Sequence, residues 1–323
     1  MKILVVCSGN SGGISPFIRE QVASLKKFEV GFGYFLIKGK GFFGYLKNYH
    51  RLLKELKKNQ YALIHAHYGL SGLLSVLQRK VPVIITFHGS DVNRRMLRIL
   101  SFIASRLSAF NIFVNRSFPL MVFAKTMCAV IPCGVDAEMC YPLDKTVSRR
   151  KMNLTSANHH IILFSSSFNK AVKNYDLARK SVDLVSKDIL LIELKGYSRD
   201  EVSLLMNASD LLLLTSTKEG SPQVIKEAMA CNCPVVATDV GDIAWLFGEE
   251  PGYYLCSFDP VDVAAKLKMA LAFSEKNGRT KGRDKIIEMG LDSETIAKRI
   301  ISVYESVLEK NDWQNKNTHH NRC

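Results

Sequence analysis

Residues 215–238 read Thr-Ser-Thr-Lys-Glu-Gly-Ser-Pro-Gln-Val-Ile-Lys-Glu-Ala-Met-Ala-Cys-Asn-Cys-Pro-Val-Val-Ala-Thr, directly after the apolar run Leu211–Leu214. The pattern is strand, polar loop, helix, then a second strand over Val235–Thr238. Gly220 allows close backbone approach, and Pro222 suits a first helical turn, where a missing N–H costs nothing. The first N–H groups of the helix have no partner within it, and its dipole adds positive potential there. A strand–loop–helix turn of this kind favours an anion, most often phosphate. Glu219 stands just before the helix and Glu227 within it. Each carboxylate can accept two hydroxyl hydrogen bonds, as a sugar diol requires. Hydroxyl acceptors on either side of a phosphate cradle outline a nucleotide-sugar. The plainer reading is a capped helix with two solvated glutamates.

The same alternation extends to both ends of the chain. Upstream, strands are predicted near 2–7, 30–37, 61–65, 81–87, 111–114 and 129–131. A helix follows from Ser15 to Lys27, with Ser15 as N-cap and Pro16 in the first turn. In the second half, strands are predicted at 161–165, 190–193, 211–214, 235–238 and 253–255, and helices near 260–274 and 293–309 close the chain. Such alternation implies βαβ units and doubly wound parallel sheets. The polar, basic segment Tyr141–Asn158 reads as a linker, giving domains 1–150 and 151–311 and a frayed tail over 312–323.

Hydrophobic residues make up 47% and charged residues 23%, ordinary values for a soluble protein. The eight cysteines are scattered without repeated metal spacing, and no uninterrupted apolar run would cross a membrane. The N-terminal apolar stretch is too short for a signal peptide, so a cytoplasmic location is expected. The net charge of +14 is uneven: residues 1–150 hold 22 Lys+Arg against 7 Asp+Glu, the remainder 22 against 23. The basic half calls for an anionic partner, whether nucleic acid, a membrane surface or a phosphorylated acceptor, or else it is simply a solvated face. It lacks a recognisable nucleic-acid-binding module. In Lys40–Lys58, apolar residues recur at helical spacing beside Lys47, Arg51, Lys54, Lys57 and Lys58. That pattern fits a core-packed helix with a solvated face, or a helix lying on anionic lipid.

Glu219 and Glu227, eight positions apart, with Glu227-Ala-Met-Ala-Cys and Pro234-Val-Val-Ala-Thr behind them, resemble the E-x7-E signature of the family-4 (group 1) retaining glycosyltransferases. That resemblance implies the GT-B fold: two Rossmann-like α/β domains facing a cleft, the last helix packing back on the first domain. It implies an acceptor-binding first domain and a nucleotide-sugar-binding second one. Gly9-Asn10-Ser11-Gly12-Gly13 does not match G-x-G-x-x-G, and the region 35–40 that should bear an acidic residue is basic, which argues against a dehydrogenase. In the resembled family such a Gly-Gly loop, here Gly12 and Gly13, lies near the donor at the reaction centre. His65 and His67 alternate to one side after the third predicted strand, and the resemblance puts His67 on the acceptor side. A structural histidine is the other reading; a metal pair lacks a third ligand. Phe87-His88-Gly89-Ser90-Asp91 looks like the family's H-G-x-D loop, with His88 able to bond a sugar hydroxyl and Asp91 able to cap a helix near Val92. Ile131-Pro-Cys-Gly-Val-Asp136 resembles a structural stretch with Cys133 where asparagine is usual.

Lys173 matches the lysine that clamps the donor diphosphate in relatives. The accompanying arginine is absent, and Lys170 is the nearest substitute, a point charge in place of a fork. The resemblance places the loop that bears Gly196 and Tyr197 beside the nucleotide base, a surface turn being the other reading. The resulting expectation is retaining transfer from a nucleotide-sugar, UDP-linked by family analogy, to a glycan or lipid-linked acceptor. It needs no cofactor and, with no D-x-D motif, no metal. Lys170, Lys173 and the N–H groups near Gly220 and Ser221 would stabilise the leaving diphosphate. Glu227 would hold the ribose, and Glu219 and His88 the transferred sugar. Two rivals share the outline: a GT-B epimerase that releases free sugar, and a non-catalytic nucleotide-sugar or anionic-surface binding module. The expected setting is surface polysaccharide, lipopolysaccharide or glycolipid synthesis, on the inner face of the membrane.

Overall fold

The computed structural model describes residues 1–10, 12–39, 41–89, 95–115, 127–155 and 160–320. The chain forms two units, Met1–Gly134 with Ser293–Cys323, and Val135–Asp292. The first contains β1 (Lys2–Ser8), β2 (Gly31–Ile37), β3 (Leu63–His67), β4 (Val83–Phe87), β5 (Phe110–Phe113) and β6 (Cys128–Val130). They form one parallel sheet in the order β2-β1-β3-β4-β5-β6. β3, β4 and β5 are buried along their whole length, which is why they read as continuous apolar runs and not as alternating ones. β2, at the sheet edge, has only Phe35 and Ile37 buried. The described helices are α1 (Pro16–Lys26), α2 (Gly41–Lys58), α3 (Gly69–Val76) and α4 (Arg95–Leu107).

The second unit has β7 (His160–Phe164), β8 (Ile189–Glu193), β9 (Leu211–Leu214), β10 (Val235–Thr238) and β11 (Tyr253–Cys256), parallel in the order β11-β10-β9-β7-β8. Its helices are α5 (Lys145–Lys151), α6 (Tyr175–Val185), α7 (Arg199–Ala208), α8 (Gln223–Ala230), α9 (Ile243–Phe247), α10 (Pro260–Asn277) and α11 (Gly282–Glu288). In each sheet the strand order reverses once, between β1 and β3 and between β7 and β9. Ligands of open parallel sheets bind beyond the carboxyl ends of the strands at such a reversal. The loops after β1, β3, β7 and β9 border these reversals.

Three expectations need correction. Tyr141–Asn158 is not a linker: Asp144 caps α5, and Lys145 and Arg149 of that helix both bond Asp210, so the segment belongs to the second unit and the boundary falls at Gly134. His65 and His67 lie inside β3, because that strand runs two residues further than its apolar content suggests. The last helix, α12 (Ser293–His320), runs through most of the segment read as a frayed tail, since nothing from 311 to 320 is Gly or Pro. It packs on α1 within the first unit, where Tyr304 is fully buried. Asp91 and a helix starting near Val92 lie outside the described residues.

Asp210 joins three elements of the second unit. It accepts from Lys145 and Arg149 and from the backbone N–H of Ile161 at the start of β7. Burial raises its carboxyl, but the Ile161 N–H and the two cations outweigh that and hold it below the usual carboxylate range. Replacing it leaves two half-buried cations without their acceptor, so Asp210→Ala should cost roughly 3 kcal/mol in urea unfolding at neutral pH. The folded pKa lies below the unfolded one. The contribution is thus present above about pH 4 and fades as the pH falls further, where the variant and the parent should converge.

Candidate functional site

In the second unit the two switch-point loops are tied together. Thr215, just past β9, donates its hydroxyl to the carbonyls of Lys173 and Asn174, each at 2.9 Å, and the Thr217 N–H donates to Val172 O at 2.9 Å. These bonds hold the turn 171–173, which Asn174 closes in a left-handed conformation at φ 51°. Lys173 Nζ then reaches Glu219 Oε1 at 2.5 Å, both side chains largely buried. Lys170, two residues before the turn's centre, is exposed. Glu219 is therefore neither solvated nor alone.

Glu227 is also held by a cation. Its carboxylate, 5% exposed, accepts from Arg199 Nη2 at 2.5 Å. Arg199 opens α7, whose N-terminus is fixed by a reciprocal capping box between Ser198 and Glu201. The loop that carries Gly196 and Tyr197 thus ends on the residue that holds Glu227. Gly196 sits at φ 82° with open space around it, and Tyr197 is 38% exposed. Pro222 is the N-cap of α8, with extended ψ of 115°, and not its first helical residue, as the sequence suggested. The ring blocks the helical conformation for the residue before it and leaves Gly220-Ser221 outside the helix.

Beneath that loop lies Lys226, fully buried, with Nζ 3.3 Å from Ser221 Oγ. Asp242 is next to the same group: burial pushes its carboxyl up, while a bond from Ser221 and the Lys226 charge oppose this. Gly241, at φ 70°, lets this second loop approach, since a Cβ there would meet the Gly220 carbonyl at 2.5 Å. Sequence reading missed Arg199, Lys226 and Asp242. The one signal for Arg199 was a cation at the end of a loop already assigned to the base. Lys226 looked like a solvated helix residue because charge ordinarily marks an exposed face.

In the first unit Gly12 and Gly13 have φ of 88° and 141°, conformations that a side chain rarely adopts, with open space at both positions. Their loop is anchored by Asn10, whose side chain exchanges two hydrogen bonds with Gly39 just past β2. His67 is fully buried, so it is not an open acceptor-side residue; its Nδ1 faces His88 Nε2 at 3.0 Å, and its Nε2 has no partner. The His67 ring stacks between those of His65 and His88. His65 in turn bonds Thr86 Oγ1 at 2.7 Å and the Tyr304 hydroxyl at 2.6 Å. His88 Nδ1 lies 3.9 Å from Cys133 Sγ, and Phe17 and Tyr68 pack against its ring. Both His88 nitrogens thus have protein neighbours. Among the described residues no group of three His, Cys, Asp or Glu is arranged to hold a metal ion.

The chain matches two family models, "Glycosyltransferase Family 4" over residues 4–139 and "Glycosyl transferases group 1" over 177–272. It belongs to the group 1 glycosyltransferases of the family 4 type. This glycosyltransferase is 21% identical over 302 residues to the N-acetyl-alpha-D-glucosaminyl L-malate synthase of Bacillus anthracis, covering 80% of this chain and 78% of that one. It is 25% identical over 230 residues to a Bacillus subtilis (strain 168) glycosyltransferase ascribed to teichuronic acid biosynthesis, covering 61% of this chain and 59% of that one. Its fold is that of Anabaena HepE, solved in complex with UDP, at a TM-score of 0.76 with 16% identity over 95% of this chain and 100% of that chain. The two parallel-sheet units form the GT-B fold.

Burial holds both strand histidines neutral: His65 is lowered to about 3, and His67 well below its usual value, with His65 and His88 adding to the effect. The unfolded chain takes up protons at these positions from about pH 6.5 downward, and the folded chain does not, so stability falls as the pH falls. His65→Gln keeps hydrogen-bonding capacity without titrating. It should flatten the decline of the urea midpoint between about pH 7 and pH 5; an unchanged slope would assign that decline to other groups.

Proposed function

We propose that this glycosyltransferase moves a sugar, with retention of anomeric configuration, from a UDP-linked donor to an acceptor hydroxyl on a glycan or lipid-linked chain. The observation that carries the reading is the arrangement at the β7/β9 reversal. There Glu219 and Glu227 are each held by a cation from another loop, beside the turn that opens α8. In this reading Lys173, exposed Lys170 and the N–H groups of Gly220 and Ser221 take the leaving diphosphate. Charge building on it is met by donors already in position, which is the largest part of what such a site contributes. Lys173 exchanges one carboxylate for a phosphate as the donor arrives, and this frees Glu219 for a sugar hydroxyl. Glu227, oriented by Arg199, accepts from the ribose, and Gly196 and Tyr197 lie against the base. Lys226 and Asp242 keep the Gly220–Ser221 loop in shape from below.

In this reading His88 bonds a hydroxyl of the sugar. His67 acts through His88 by fixing the ring. UDP is supported by the UDP complex of HepE, and a role in surface polysaccharide, lipopolysaccharide or glycolipid synthesis by the relative ascribed to teichuronic acid biosynthesis. The basic charge of the first 150 residues favours an anionic surface, hence a peripheral position on the inner face of the membrane. Among the described residues no helix is long and apolar enough to cross it.

Calorimetry with UDP-sugars tests the donor assignment. Glu227→Ala should weaken binding at least roughly tenfold, the effect of losing one charge-assisted hydrogen bond, with an unchanged circular dichroism spectrum. Unaltered affinity would remove Glu227 from the site. Turnover should persist in EDTA, and the product should keep the donor's anomeric configuration by NMR; an inverted product would overturn the retaining mechanism.

A further inference from the structure

The first unit has a concave site that the donor reading does not use. A depression of about 460 Å³ lies between the edge strand β2 and α2, lined by Tyr34 and Lys38 from the strand side and Arg51, Lys54, Glu55 and Lys58 from the helix. Four cations share it with one carboxylate. That carboxylate is engaged elsewhere: Glu55 Oε1 accepts from the Tyr61 hydroxyl at 2.8 Å and from Asn59 Nδ2 at 2.9 Å. Among the described residues no ion pair engages Lys38, Arg51, Lys54 or Lys58.

Arg51 is preorganised. Its Nη1 donates to Asn48 Oδ1 at 2.8 Å, Asn48 is 1% exposed and bonds the Lys38 carbonyl at 2.8 Å, and the guanidinium lies over the Phe35 ring at 5.5 Å. The fork therefore loses little freedom when it meets an anion. Unpaired cations brought together in a concavity repel one another, and a multiply charged anion relieves that repulsion. Phosphate oxygens suit a guanidinium fork flanked by ammonium groups.

We propose that the β2–α2 depression binds a diphosphate or a close pair of phosphates, the charged part of the acceptor. This deepens the glycosyl-transfer reading and rests on it for the word acceptor only. One end of the depression, at Lys38, borders Gly39, the residue doubly bonded to Asn10 in the Gly9–Gly13 loop. An acceptor anchored by its phosphates at Lys38 has its sugar end directed to that loop. The phosphates belong either to a lipid headgroup or to a soluble phosphorylated molecule.

The full-length protein is tested with UDP present in excess to occupy the donor site. Inorganic pyrophosphate binding is read by calorimetry. Flotation is read with phosphatidylcholine vesicles with and without phosphatidylglycerol. The pocket variant is Lys38→Gln/Lys54→Gln/Lys58→Gln, all exposed positions. The control, Lys26→Gln/Lys47→Gln/Lys57→Gln, removes equal charge from the same unit outside the depression. The pocket variant should bind at least about tenfold more weakly, with the control within about twofold of the parent. A response to pyrophosphate alone identifies a soluble ligand, to anionic vesicles alone a lipid headgroup, and to both the shared phosphate chemistry. No binding of either probe by the parent, or equal weakening in the control, overturns the site. UDP binding measured on the same samples reports separately on the donor reading: its absence would sink that reading and leave the depression's result standing.

Discussion

A parallel sheet that reverses its strand order must leave two neighbouring carboxyl-end loops that no crossover helix covers. In the second unit that constraint falls between β7 and β9. Thr215 and Thr217 bind the turn after β7, and Lys173 can then lie against Glu219. Every other feature of the candidate site follows from this pairing of loops. α8 starts where the second loop ends, Glu227 follows within that helix, and the loop after β8 comes up beside it to supply Arg199.

Charge is handled differently at the two carboxylates, and burial accounts for the difference. Glu227 is nearly inaccessible, and an unpaired carboxylate there would carry a large desolvation cost. Arg199 answers it with a planar guanidinium fixed at the start of α7. Glu219 is more open and is paired with a flexible lysine, a partner that can move to another anion. Lys226 is fully buried, with Ser221 Oγ 3.3 Å from its Nζ and Asp242 beside it, so the loop it supports rests on a buried polar group and not on apolar packing alone.

The first unit repeats the reversal between β1 and β3, with a different occupant. Three imidazoles stack from His65 through His67 to His88, and the far end is closed by Tyr304 from a helix more than two hundred residues away in sequence. The buried, neutral pair His65–His67 packs against the His88 ring and fixes its orientation. It does so at the expense of acid stability, because the same rings titrate freely in the unfolded chain.

Local pattern alone was enough to establish the βαβ alternation and the strand–loop–helix turn at Gly220–Pro222, and to point to residue types able to hold phosphate and diol. These depend on hydrophobic period, on backbone sterics and on chemistry that a residue carries with it. The helix end at 320, the unit boundary at Gly134 and the burial of His67 did not follow from those signals. Strand order, and therefore which loops become neighbours, is set by how whole elements pack, and no window of sequence records it. Arg199, Lys226 and Asp242 acquire their roles only through that packing. Each is an ordinary charged residue until the fold brings its partners within reach: Glu227 for Arg199, and Ser221 for Lys226 and Asp242.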